Sequence, residues 1–234
     1  MRRALALVLV LVLAGLMMAG VNQLPPPGQA DGPVHRHVAA SYLSGGADEG
    51  GAGNLVAAVL LNYRALDTYG EVVVIFAALL AVLLVRNAGE PAQRPVKPAV
   101  ALSPVVDQAI RLMAPFIALF ALFMIIEGHV LPGGGFQGGV VLGALMILLS
   151  LALGPDRVRG LIPTGAVFWL RAIAPLVFVL CAAAGLYLAG WWFALPDPGR
   201  LRELILIMLE LAIGFGAAAA LTGFLLSLEA DGPD

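Results

Sequence analysis

Five titratable side chains stand where the surrounding sequence is otherwise apolar: Asp67, Glu71, Glu127, His129 and Glu210. An acid inside a hydrocarbon-spanning stretch is costly unless neutralised, paired or hydrated, and such residues mark proton or ion pathways. A buried carboxylate holds a proton or a cation but rarely both, which is the minimal chemistry of exchange. Asp67 and Glu71 are four positions apart and share a face wherever the helix carrying them is continuous. Asp67-Thr68 also reads as a helix start, where the dipole favours an acid. Glu71 is harder to assign to structure alone, because the fourteen residues after it are all apolar. Glu127 and His129 close a long apolar run. They suit a proton relay, since imidazole titrates near neutrality, and equally suit a wetted interface. Glu210 lies roughly 12 Å into the last apolar run at 1.5 Å per residue. No basic residue in that stretch can pair with it, so its partner must come from another helix or chain. It serves either an ion route or a structural interhelical hydrogen bond. Asp107 and Arg111 form the simplest case, an i, i+4 ion pair with the acid first.

Between two apolar runs lies "GHVLPGGGFQGG" (128–139), six glycines and a proline in twelve residues. Such a stretch breaks a helix. Gly128, Pro132, Gly133, Gly134, Gly135, Gly138 and Gly139 are therefore expected to build a compact turn. Without side chains it either presses against a neighbouring backbone or exposes carbonyls to an ion route, and close packing is the favoured role.

The residue inventory excludes much else. With one cysteine, Cys181, three histidines and no clustered ligands, the chain is not expected to hold a structural zinc or an iron–sulfur cluster. No metal site, cofactor or catalytic residue is expected, and the chain does not read as an enzyme. Thirteen basic against fifteen acidic residues give no electrostatic case for nucleic acid.

The elements that must position these residues follow from hydropathy. The chain has 234 residues, 61% hydrophobic and 12% charged, with a mean hydropathy of +0.96. Several apolar runs reach the ~18–20 residues needed to cross the bilayer core. They are too long for barrel strands, so the expected fold is an all-α integral membrane protein with about six transmembrane helices and a glycine-rich extracytoplasmic turn. The spans are expected at 4–21, 69–86, 106–127, 136–153, 168–190 and 202–228. The first, after "MRR", is read as a retained anchor, with a signal peptide as its rival. Residues 22–53 read as loop, 54–63 as a short interfacial helix before a bend, and "WWF" (191–193) as an interfacial aromatic belt. "GFGAAAALTG" (214–223) offers small residues four apart, a surface for close helix packing. Placing both termini in the cytoplasm puts nine Lys and Arg residues inside and four outside, as membrane topology favours. A multi-pass protein of the cytoplasmic (inner) membrane is expected.

Two stretches resemble one family. "IIEGHVLPGGGFQGGVVLGALMILL" looks like the signature of the MnhB/MrpB domain of multisubunit Mrp-type Na⁺(K⁺)/H⁺ antiporters. "NLVAAVLLNYRALDTYGEVVVIFAALLAVLLV" is similar to the C-terminal piece of the large MrpA protein, which stands alone as the MbhE-like subunit of membrane-bound hydrogenases. The resemblance divides the chain into an MbhE-like membrane domain (1–90), a proline-rich cytoplasmic linker (91–104) and an MnhB-like membrane domain (105–234). It implies a non-catalytic membrane subunit that contributes to assembly and to the Na⁺ and H⁺ route. The implied partners are the other antiporter subunits. The alternative is the same module in a membrane-bound hydrogenase or related respiratory complex. By position, Asp67, Gly70 and Glu71 match the family's acid-bearing motif, and Gly128, His129, Pro132, Gly133, Gly134, Gly135, Phe136, Gly138 and Gly139 match its glycine signature. The usual form reads "GHNxPGGGF", and Val130 stands here in place of the Asn.

Overall fold

The computed structural model describes residues 2–26, 28–29, 32–46, 48–88, 102–154, 157–158, 160, 164–197 and 199–229. All regular structure among them is helical. Residues 1–44 and 45–234 form two separate compact units. The first contains α1 (Arg2–Val21). It also holds a π-helical turn, Val34–Val38, that runs into α2 (Ala39–Gly45). This second helix was not expected, because 22–53 reads as loop. The breakers that dominate that reading cluster at 22–33 and 44–53, and "HVAASYL" between them has no helix-breaking residue.

The second unit is a helical bundle. Its first piece falls where a short helix is expected: α3 (Leu55–Ala58) continues as a π-helical turn, Val59–Tyr63. After a bend at Arg64, α4 spans Ala65–Ala88. It starts four residues before the expected 69, so Asp67 and Glu71 do share one helix. The predicted linker lies outside the described residues as far as residue 101. Beyond it, α5 (Pro104–Ile126) opens with Pro104 in its first turn and the Ser103 hydroxyl accepting from the Val106 N–H, a favoured start for a helix. Then come α6 (Gly135–Leu153), α7 (Thr164–Ala189) and α8 (Arg200–Glu229).

Among the described residues five helices are long and apolar enough to cross a membrane, and the expected fifth span contributes a shorter apolar core, Ala172–Tyr187. The protein is a multi-pass, all-α integral membrane protein.

The last helix organises the bundle: α8 packs on α4, α5, α6 and α7. Its small residues let neighbours approach, as the "GFGAAAALTG" run suggests. At the crossing of α6 and α8, a Cβ on Gly139 would stand 2.5 Å from the Gly214 carbonyl oxygen and 3.0 Å from the Ala217 Cβ. Only glycine admits that contact, the usual means by which membrane helices gain packing energy. Of the expected aromatic belt, Trp191 and Trp192 are exposed, whereas Phe193 turns inward at φ +61°. Its ring joins Tyr69 and Phe178, with centroids 6.2–6.3 Å apart.

Candidate functional site

The glycine-rich turn is folded around Glu210. Residues 127–134 leave the end of α5, bend through Gly133 and Gly134 at φ +147° and +128°, and enter α6 at Gly135. These angles are open to glycine and strained for any other residue. The turn returns to its own helix, with the Gly134 N–H donating to the Met124 carbonyl at 3.2 Å. As a result the first amide of α6 points at Glu210, and the Gly135 N–H donates to its Oε2. The side chain is buried in the bundle, 4% exposed. The partner expected from another helix is thus a backbone amide at a helix N-terminus, where orphan donors and the helix dipole favour a carboxylate. A Cβ on Gly135 would stand 2.5 Å from the Glu210 backbone oxygen and 2.9 Å from its Oε2. Glycine is therefore a condition of this contact.

Asn54, which sequence reasoning missed, fastens the turn from outside. Its Nδ2 donates to the carbonyls of Gly128 at 2.8 Å and Leu131 at 3.0 Å, and its N–H donates to the His129 carbonyl at 3.0 Å. Its Oδ1 accepts from the Val56 N–H, capping α3. The cap was legible as an Asn ahead of an apolar run; the long-range hydrogen bonds had no sequence signal. A second unanticipated fastening is Arg202, buried at the start of α8. Its Nε donates to the Pro196 carbonyl and its Nη1 to the Glu49 carbonyl, each at 2.5 Å.

A small chamber of about 20 Å³ borders Glu210, lined also by Thr68, Gln137, Ala57 and the backbone of Gly133 to Gly135. One wall comes from the π-helical turn. The Thr68 hydroxyl, fully buried, donates to the Leu60 carbonyl at 2.7 Å. Broken helices at membrane depth survive where such side chains or a cavity satisfy the freed backbone.

The other expected residues fall elsewhere. His129 is 5% exposed. Its Nδ1 is 3.1 Å from the Ile126 carbonyl oxygen, so that nitrogen carries the proton. Its Nε2 lies 3.8 Å from Glu203 Oε1, an ion pair only when the ring is protonated. Glu127 is half-buried at the end of α5. Asp67, in the first turn of α4, pairs with Arg64 at 2.5 Å on the surface. Glu71 is exposed on the surface of the chain. Of the expected five, only Glu210 meets the glycine turn through its side chain, while His129 is part of the turn. No three His, Cys, Asp or Glu among the described residues converge as a metal site. Asp107 and Arg111 form the expected ion pair at 2.9 Å.

A protein-family profile described as "Domain related to MnhB subunit of Na+/H+ antiporter" matches residues 105–223. The profile of the MbhE family, a subunit of the MBH complex, matches residues 1–101. The chain is 32% identical to the B-type subunit of the Na⁺/H⁺ antiporter of Bacillus subtilis (strain 168) over 108 residues, 46% of this chain and 74% of that protein. Among solved structures, a chain of the membrane-bound sulfane sulfur reductase, an archaeal respiratory membrane complex, is 29% identical. Its TM-score is 0.63, covering 96% of this chain and 98% of that one. A chain of the Mrp complex from Dietzia sp. DQ12-45-1b shares the fold at 24% identity and a TM-score of 0.71. That alignment covers 99% of this chain and 26% of the other, so this chain spans about a quarter of its length. With half its length matched and the glycine signature in place around Glu210, this chain belongs to the family of domains related to the MnhB subunit of Na⁺/H⁺ antiporters.

Proposed function

We propose that this chain is a non-catalytic membrane subunit of a multisubunit Mrp-type antiporter that exchanges Na⁺ or another monovalent cation for protons. The observation that carries the reading is the MnhB match over residues 105–223. In this reading the chain unites an MbhE-like segment (1–90) and an MnhB-like segment (105–234) through the proline-rich 91–104. It sits in the cytoplasmic (inner) membrane with both termini in the cytoplasm and the glycine turn outside.

The chain contributes to assembly and shapes the ion or proton route through Glu71, Asp67, Glu127, His129 and Glu210. Glu71 is exposed on α4, within a span too apolar to leave an acid facing lipid. A neighbouring subunit or a hydrated path therefore covers it. The test is Na⁺-driven proton flux in vesicles carrying the assembled complex with Glu71→Gln. Loss of flux with intact assembly is expected; unchanged flux removes Glu71 from the route.

A second reading draws on the likeness, 29% identical over 98% of its length, to a chain of a respiratory membrane complex. There the same module serves an ion-pumping arm driven by electron transfer in other subunits. Iron–sulfur proteins co-purifying with the chain favour this reading, and their absence favours the antiporter.

A further inference from the structure

We propose that the chamber beside Glu210 is a one-water proton-exchange site, in which the Glu210 carboxylate takes a proton from hydronium formed at a single bound water and returns it to that water. The step is balanced as carboxylate plus hydronium giving carboxylic acid plus water, with no other reactant. It rests on the reading of the chain as part of a cation/proton exchanger.

Size selects the occupant. A volume of about 20 Å³ exceeds the ~10–15 Å³ that one water requires and leaves no room for a hydrated cation. A buried water also needs two to four polar partners. Thr68 donates its proton to the Leu60 carbonyl and keeps its oxygen as an acceptor. The Glu210 carboxyl, the Gln137 amide and the Thr68 oxygen are the polar side-chain groups that line the space and can hold the water. The chamber reaches the surface beside Gln137 and Val56, both exposed, which gives a proton a way in.

The α6 N-terminus faces Glu210 through the Gly135 N–H, and the helix dipole favours its carboxylate form; the response to added Na⁺ distinguishes a proton from a bare cation at that carboxylate. Both protonation states keep their hydrogen bonds. The carboxylate accepts from Gly135. The acid accepts from the same amide through its carbonyl oxygen, while its O–H donates to the water. No other charged side chain lines the chamber, and α6 carries no titratable residue. On the remaining elements packed nearby, Asp67 is paired with Arg64, Glu71 lies on the surface and Arg202 is bound to carbonyls. His129 faces Glu203, and Glu127 ends α5. The water is therefore the group with which Glu210 exchanges its proton, while the α6 amide keeps its hydrogen bond.

The test is infrared difference spectroscopy on the intact complex in lipid, following the C=O stretch of a protonated carboxyl. The wild-type band is expected to appear and vanish with pH, to shift on transfer to D₂O, and to ignore added Na⁺ at fixed pH. Glu210→Gln abolishes it. Ala57→Val narrows the chamber without touching Glu210, keeps the band and slows its D₂O shift. A band that never titrates, that moves with Na⁺ at fixed pH, or that exchanges as fast in Ala57→Val overturns the proposal. The wild-type titration decides even if a variant fails to assemble. Na⁺-driven flux in the same preparation keeps the two readings apart: a titrating band without flux rejects the exchanger and retains the site.

Discussion

Asn54 and Gly134 show how few side chains the glycine turn needs. Asn54 supplies three donors and acceptors at once, two to carbonyls of the turn and one to the start of α3. Asn54→Ala is expected to cost about 2–3 kcal/mol, from a lost helix cap and two unanswered carbonyls. Thermal unfolding of the purified complex in mild detergent measures it. Asn54→Asp, which keeps the cap and loses both donors, is expected to recover only the smaller part. Gly134→Val places a β-branched residue at φ +128°, beside the Glu210 carboxylate, and is expected to abolish assembly of the complex on a native gel. An assembled Gly134→Val complex that has lost only transport contradicts the packing role of the turn. Glu210 stood out in the sequence as one acid in an apolar run. Its partner was not, because a backbone N–H carries no residue type.

At the scale of elements, two fastenings hold the bundle, and each predicts a distinct failure. Where α6 crosses α8 at Gly139, Gly139→Leu forces the helices apart and is expected to cost about 1–3 kcal/mol as overpacking, read as a lowered Tm. At the head of α8, buried Arg202 bridges the carbonyls of Pro196 and Glu49. Arg202→Lys keeps the charge but not the guanidinium fork. It is expected to free residues 45–53 for limited proteolysis while the bundle stays folded; unchanged cleavage means the bridge does not hold that segment. The spans were legible because length and hydropathy decide them, and α4, α5, α6 and α8 lie close to their expected places. What sequence missed was non-periodic. The helix at Val34–Gly45 was masked by the glycines and prolines flanking it, and the inward turn of Phe193 depends on a tertiary cluster with Tyr69 and Phe178.

For the whole molecule, composition settled the class and excluded cofactor-bearing chemistry from expectation. The family was readable from the glycine signature once the apolar runs around it were recognised as membrane helices. Function follows from assembly, because the acids named in the sequence do not converge within this chain: Glu210 is enclosed, Glu71 is turned outward and Asp67 is paired at the surface. In the proposed reading, a chain arranged this way contributes pieces of a route that other subunits complete. The most direct measurement is mass spectrometry of everything that co-purifies with the full chain in mild detergent. The account predicts several other hydrophobic, antiporter-type subunits in fixed proportion to it. A chain that purifies with no such subunits contradicts the account.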